Sequence, residues 1–196
     1  TNSSENRLEK TWATACVGRL NEQKRLLNLL RPHVPTDELW VRPGHDLNGI
    51  GHLLQHIKGN MSQYILHTLG AKGQGREREK EFQDAPKITS DALFDSVCET
   101  LDQSALRIEK TLVNFWSQQH RIQTFEMSAL EAVMHSIEHT AYHIGQIALL
   151  VKQRKGKNFR FTPVLIDALS QNCSSQRLEF TSDNLLIFSV VWRKAG

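Results

Sequence analysis

Apolar side chains recur every three or four residues over four segments of the chain, which is the pattern of amphipathic helices. The first predicted helix covers residues 4–30 and ends before two prolines. The second begins near Asp46 or Asn48 and runs to about residue 69. The predicted inward positions of these two helices are Leu8, Trp12, Cys16, Leu20, Leu27, Leu30, Ile50, Leu54, Ile57, Met61, Tyr64 and Ile65.

Two further helices follow. The third begins at a cap formed by Thr89 or Ser90. The fourth covers residues 130–151, and Ser128 with Glu131 forms its predicted capping box. Their predicted inward positions are Leu93, Val97, Leu101, Ile108, Leu112 and Phe115 in the third helix, and Leu130, Met134, Ile137, Ala141, Ile144, Ala148 and Val151 in the fourth. Four such helices predict an all-α fold, a four-helix bundle.

The segments between and after the helices differ in character. A long glycine-rich loop, residues 70–87, lets the chain cross the end of the bundle, so that the third helix need not be antiparallel to the second. Residues 118–127 are a short connector. After Gly156 the sequence becomes β-branched and aromatic, which predicts an irregular or β-hairpin-like C-terminal extension. We therefore expect a bundle over residues 1–156 and an extension, 157–196, that packs on the bundle or on a partner subunit.

The composition limits the classes of function. The net charge is only +3 and no basic block occurs, which disfavours a nucleic-acid partner. No apolar run approaches the ~20 residues that span a bilayer, and the polar N-terminal segment is unlike a signal peptide. Cys16, Cys98 and Cys173 are odd in number and far apart. These features predict a cytoplasmic protein with reduced thiols and no membrane contact, in which any metal site has nitrogen ligands.

Nine histidines provide the candidate chemistry. His135, His139 and His143 follow one another at steps of four, so each neighbouring pair lies on one helix face and can bind one metal ion. His135 and His143 lie roughly 12 Å apart along the axis, at ~1.5 Å per residue, and cannot share that ion. A pair from this helix therefore needs a third ligand from elsewhere in the chain.

The second predicted helix offers such a ligand. A polar row, His56, Asn60, Gln63 and His67, follows one flank of its apolar stripe, as expected for the wall of a cleft. His52 lies further round, towards the outside, so His56 is the better candidate to face inward. The residues alone leave two interpretations open, a metal site and a set of ordinary polar or surface histidines.

Several short motifs occur in order between residues 39 and 151: Leu39-Trp40, Arg42-Pro43, Asn48-x-Ile50-Gly51-x-Leu53-Leu54-x-His56, Gly59-Asn60, Arg76-x-Arg78-x-x-Glu81-Phe82, Leu130-Glu131-Ala132 and Glu138-His139-x3-His143-x-Gly145-Gln146-Ile147. With this set the chain resembles the DinB/YfiT-like superfamily of metal-dependent four-helix-bundle proteins, within its bacterial DinB-like branch. The resemblance implies an up-down-down-up bundle.

The resemblance also implies a function. It places a divalent metal ion, zinc or nickel, on His56, His139 and His143. Characterised relatives include transferases and isomerases that use low-molecular-weight thiols. The chain is therefore expected to be a metal-dependent transferase that activates such a thiol. The alternatives are a non-catalytic metal-binding or structural bundle and a metal-dependent hydrolase.

Further residues are expected around this site. The candidates for supporting the ligands or binding a substrate are Asn60, Arg76, Arg78, His135 and Gln146. The two arginines are by default a solvated charge run, although at the mouth of a cleft they can bind a carboxylate. The fourth helix carries both a histidine face and an apolar stripe with little charge, so we also expect a homodimer through this helix or through the extension.

Overall fold

Four long helices form the fold, as the periodicity predicts. In the computed structural model, which describes residues 2–71, 76–85 and 87–156, they are α1 (Asn2–Leu30), α2 (Ile50–Met61), α3 (Ser90–Lys110) and α4 (Ala129–Lys155). Helix α2 continues into a π-helical turn, Ser62–His67. Short 3-10 turns lie in the connections, at Arg31–His33, Thr36–Glu38, Arg78–Phe82 and Val113–Phe115.

Side-chain contacts give the relative directions of α1, α3 and α4. Lys24 pairs with Asp102 at 2.6 Å, whereas Arg31, directly after the end of α1, pairs with Asp91 near the start of α3. Helices α1 and α3 are therefore antiparallel. Gln23 on α1 donates a hydrogen bond of 2.8 Å to the carbonyl oxygen of Ile137 near the middle of α4.

Two more contacts complete the topology. Arg154 near the end of α4 donates to the carbonyl oxygen of Glu38, which follows α1, so α1 and α4 are parallel. On α2, His56 faces His139 and the later Asn60 bonds Ser136, which precedes His139. Helices α2 and α4 are therefore antiparallel, and the four helices run up-down-down-up. The predicted bundle is confirmed.

The core is built mainly from leucine and isoleucine side chains on all four helices and the segment that follows α1. The largest fully buried side chains are Leu20, Leu27, Leu30, Leu39, Ile50, Leu54, Ile57, Met61, Ile65, Phe94, Leu101 and Ile108. Burying one such side chain stabilises a fold by about 1.5–3 kcal/mol. This core fixes the distance between α2 and α4, on which the histidines lie.

The predicted caps of α3 and α4 agree with the structure. Thr89 caps α3 by accepting from the backbone N–H of Ala92, and Ser128 forms the predicted capping box with Glu131. The start of α2 was predicted near Asp46 or Asn48, and the helix begins at Ile50, with Gly49 as its N-cap. The Asn48 amide oxygen accepts a hydrogen bond from Arg42 instead of capping the helix.

The predicted connector before α4 contains a β-hairpin instead. Strands β1 (Gln119–Ile122) and β2 (Phe125–Ser128) pair antiparallel, with Gln119 opposite Ser128. The turn includes Gln123 at a φ of 57°, a conformation that non-glycine residues adopt rarely. The hairpin was not predicted because its strands are short and mostly polar.

Four predicted inward positions are exposed. Leu8 on α1 is 72% exposed. Leu112 is 73% exposed because α3 ends before it. On α4, Met134 and Ala141 face outward. The buried face of this helix instead includes several small or polar side chains, namely Ala129, Ala132, Ser136, Thr140 and Ala148. Small side chains at these positions allow α4 to pack closely, which hydropathy alone does not predict.

The predicted C-terminal extension, residues 157–196, lies outside the described residues, so its hairpin and its separation from the bundle stay predictions. Among the helices that the structure describes, none has the length and apolarity needed to cross a membrane.

Replacing Phe94 by alanine tests the central position of α3. Phe94 is fully buried, and truncating such a side chain should lower the free energy of unfolding by about 3–5 kcal/mol. The control is Leu106→Ala on the same helix, where the side chain is 49% exposed and the expected loss is below about 1 kcal/mol. Urea unfolding measures both. Equal losses would contradict the described packing.

Candidate metal centre

Three of the predicted histidines meet between α2 and α4. The Nε2 atom of His139 lies 3.0 Å from His56 Nε2 and 3.2 Å from His143 Nε2. One helical turn separates the two histidines of α4, so both rings share a face. Each ring offers one nitrogen such that all three atoms lie within 4.8 Å of one another. No second cluster of this kind occurs within residues 2–71, 76–85 and 87–156.

The outer nitrogens of two rings contact hydrogen-bond acceptors. His56 Nδ1 lies 2.8 Å from Glu81 Oε2, and His143 Nδ1 lies 2.7 Å from Gln146 Oε1. Carboxylate and amide oxygens only accept hydrogen bonds, so each Nδ1 carries a proton and donates it. In the neutral rings, both Nε2 atoms then have a free lone pair beside His139.

The third ring, His139, lies between the other two. Burial, followed by the nearby charges of His143, His56, His135 and Arg76, lowers the pKa of His139 to about 3. Burial also lowers the pKa of His143. Both rings are neutral at neutral pH, which is the form that binds metal ions. Among the described residues, nothing bonds the buried Nδ1 of His139.

This donor set fits a divalent metal ion. Zinc–nitrogen bonds of about 2.0–2.1 Å in a tetrahedral site separate two ligand nitrogens by roughly 3.4 Å. The two short separations, 3.0 and 3.2 Å, are close to that value. An acceptor on the outer nitrogen is also typical of histidines that bind metal, because it fixes the ring and the position of its proton.

Glu81 is part of the site, although the sequence analysis did not single it out. It lies in the turn Arg78–Phe82 and is 8% exposed. Arg76 donates from Nε to Oε1 at 2.6 Å and from Nη2 to Oε2 at 2.8 Å. Burial raises the pKa of the Glu81 carboxyl, but the hydrogen bonds from Arg76 and His56 lower it by more, so its pKa lies below the ordinary value. The group beside His56 is therefore a carboxylate.

A strap, which we define as residues 76–85, brings Glu81 to this position. Gln55 on α2 donates from its side-chain nitrogen to the carbonyl oxygens of Glu81 and Gln83, at 3.3 and 3.1 Å. The strap also closely approaches Gly59, where a Cβ atom would lie 2.6 Å from Glu81 Cδ. The loop of which the strap forms part thus does more than connect α2 to α3.

His52 binds the strap one turn earlier on α2, and its predicted outward position is wrong. The side chain is fully buried. Its Nδ1 accepts from the backbone N–H of Gly49 at 3.0 Å, so Nε2 carries the proton and donates to Asp84 at 2.7 Å. Both ring nitrogens have partners, and His52 has a structural role.

Three of the other candidates lie around the histidines. Asn60 is buried one turn after His56 and accepts a hydrogen bond of 2.8 Å from Ser136. Gln146 bonds His143, as described above. The ring of His135 lies 5.7 Å from that of His139.

The two arginines differ from each other. Arg76 uses its guanidinium group on Glu81 and Gln63 within the chain, so it is not available for a substrate carboxylate. Arg78 is exposed and contacts none of the histidines in the described part of the chain. Both were predicted as candidates because a loop at the mouth of a cleft can use arginines to bind a carboxylate. Only Arg76 contacts His56 on α2.

Comparisons with known proteins agree with this architecture. A family model described as "Protein of unknown function (DUF1572)" matches residues 7–165. The crystal structure of the DinB-like protein YjoA from Bacillus subtilis is similar, with a TM-score of 0.57 and 12% identity over 75% of this chain and 96% of that one. A DinB-like protein from Bacillus cereus has a TM-score of 0.56 and 16% identity over 70% and 86% of the chains. No curated protein sequence matches.

These likenesses confirm the expected DinB-like fold. They show the fold alone and do not test the predicted metal, thiol or homodimer. On α4, Met134, Tyr142 and Leu149 are 43–63% exposed, and the predicted homodimer through this helix stays a prediction.

Replacing His52 by alanine separates the structural histidine from the candidate ligands. The change leaves the Gly49 N–H and Asp84 without their buried partner, so it should lower the free energy of unfolding by about 1–3 kcal/mol. It should leave zinc affinity unchanged, because His52 contacts none of the three clustered rings. Urea unfolding and a zinc titration measure the two effects. A loss of zinc affinity comparable to that of His56→Ala would contradict this assignment.

Proposed function

The chain belongs to the DUF1572 family, and we propose that it is a divalent-metal-binding protein in which His56, His139 and His143 hold the ion. The convergence of the three imidazoles carries this proposal. Two of them present Nε2 lone pairs to the third, and in the described part of the chain no positive group lies between them. A cation bound by all three nitrogens removes the repulsion between those lone pairs.

The donor type disfavours magnesium and calcium and fits zinc or nickel, the ions that the resemblance implies. Neutral imidazole suits zinc, copper, iron and nickel, whereas magnesium and calcium prefer oxygen ligands. The one carboxylate in contact with the cluster, Glu81, is bonded to the outer nitrogen of His56 and to Arg76. The Glu81 carboxylate therefore lies on the outer side of His56 and not between the three Nε2 atoms.

The number of ligands favours a reactive site. Structural zinc sites usually have four protein ligands, whereas catalytic sites have three and leave one position for water or substrate. The described residues supply three. An ion with an open position would supply Lewis acidity, by which a bound thiol becomes a thiolate nucleophile near neutral pH.

We further propose that the protein is a metal-dependent transferase and that its nucleophile is a low-molecular-weight thiol. Both described cysteines are unsuited to the role. Cys16 on α1 and Cys98 on α3 are buried and lie on neither helix of the site. Burial raises the pKa of both thiols, that of Cys16 to about 11, so they remain protonated.

Removing one histidine tests the metal site. His56→Ala, His139→Ala and His143→Ala should each lower zinc affinity by more than about 100-fold, beyond the 10–100-fold typical of a lost supporting contact. The control is His45→Ala, because that side chain is 98% exposed. Calorimetric titration of the metal-free chain with zinc measures the affinity, and circular dichroism checks folding. Wild-type affinity in His139→Ala would contradict the proposed site.

Cobalt substitution tests the thiol. If the open position accepts a thiol, adding cysteine or glutathione to the cobalt-loaded chain should produce a sulfur-to-cobalt charge-transfer band in the near ultraviolet. The same thiols added to His143→Ala should give no band. If the wild-type chain binds cobalt and gives no band, the thiol proposal is wrong while the metal site stands. Hydrolysis of ester substrates by the zinc-loaded chain would then favour the hydrolase alternative.

A further inference from the structure

We propose that Glu81 is a positioning residue that holds the His56 proton on Nδ1, so that the Nε2 lone pair faces the metal, and that Gly59 is required because any larger side chain displaces this carboxylate. The inference rests on the proposed metal site and deepens it. It assigns a role to the strap, which contributes none of the three proposed metal ligands.

The shortest contacts at Glu81 favour one arrangement of protons. Arg76 donates to both carboxylate oxygens, and His56 Nδ1 lies 2.8 Å from Oε2. Arg76 Nη2, which only donates, also lies 3.1 Å from His56 Nδ1, and this contact alone would favour an unprotonated Nδ1. It is the longer contact, however, and Nη2 already donates to Glu81 Oε2 at 2.8 Å. With Arg76 fixed on the carboxylate, the charge of Glu81 attracts the imidazole proton to Nδ1. The lone pair of the ring is then on Nε2, beside His139.

The burial of this pair makes the effect strong. The side chains of Arg76 and Glu81 are 7% and 9% exposed, so water screens their charges little. A bidentate arginine–carboxylate pair also has a fixed geometry. The carboxylate that bonds His56 is therefore held in one orientation. Gln63 holds the far side of the guanidinium group at 3.2 Å. The carboxylate is thereby restrained against rotation away from His56.

Gly59 provides the space that the carboxylate occupies. A Cβ atom at this position would lie 2.6 Å from Glu81 Cδ, closer still to Oε1, and 3.2 Å from Arg76 Nε. Glycine is otherwise unfavourable inside a helix, and Gly59 has an ordinary helical conformation. Its position is therefore explained by the approach of the strap, one turn after His56 and within reach of the same carboxylate.

The chain offers a matched control on the same two elements. Asp84 on the strap accepts a hydrogen bond of 2.7 Å from His52 on α2, as Glu81 does from His56. His52, however, has both nitrogens engaged within the protein and lies outside the cluster. A variant of Asp84 thus disturbs a histidine–carboxylate contact between strap and helix without reaching the proposed metal ligands.

The test compares zinc affinity and imidazole protonation in the full chain. Glu81→Gln and Gly59→Ala should each lower zinc affinity by about 10–100-fold, the range typical of a lost contact to a ligand, while Asp84→Asn leaves it unchanged. In the metal-free chain, nitrogen NMR should find the His56 proton on Nδ1 in the wild type and on Nε2 in a substantial fraction of Glu81→Gln. A purely structural contact would change the melting temperature without moving this proton.

A double variant tests the link between Gly59 and Glu81. If Gly59→Ala acts by displacing the carboxylate, it should cost affinity in the wild-type background and little in the Glu81→Ala background. Additive losses would overturn the role of Gly59. Glu81→Asp keeps the charge but shortens the side chain, so it should also lower zinc affinity. This variant replaces Glu81→Gln in the test if Glu81→Gln folds poorly. Wild-type affinity and protonation in Glu81→Gln would overturn the inference. If the wild type binds no zinc, the proposed function fails, and the NMR result still decides the role of Glu81.

Discussion

The approach of three imidazole nitrogens between α2 and α4 is the constraint on which the rest of the site depends. Two rings that donate from Nδ1 place their Nε2 atoms within 3.2 Å of a third nitrogen, an arrangement that is unfavourable unless a proton or a cation lies between them. The antiparallel packing of α2 on α4 imposes it. The buried bond between Asn60 and Ser136, one turn along, holds the two helices in this register.

The strap adds the second level of organisation. It binds one face of α2 at successive turns, through His52, Gln55 and His56, and leaves room for its carboxylate over a glycine. Beside the histidines, Arg76 and Glu81 form a buried ion pair in which each charge offsets the other. The bundle supplies the rigid distance between the helices, and the strap supplies the protonation of one ring.

Periodicity predicted the four helices and the shared face of neighbouring α4 histidines, because both depend on residues three or four apart on one helix. The resemblance selected His139 and His143, together with His56, among the possible ligands. Periodicity failed where the partner was distant in sequence. His52 was predicted to face outward because hydropathy cannot anticipate its contact with Asp84. Met134 was predicted to be buried because it is apolar, whereas α4 packs through small residues such as Ser136. Glu81 in a polar loop has no periodic signal, and its role follows only from the fold.

X-ray absorption spectroscopy at the metal edge can decide whether three histidines hold one divalent ion. On the zinc-loaded chain, we expect one ion per chain with three imidazole nitrogens at about 2.0–2.1 Å and a remaining light-atom ligand from solvent. Multiple scattering from the rings distinguishes imidazole from other nitrogen or oxygen donors. A first shell with cysteine sulfur, or with fewer than three imidazoles, would contradict the account.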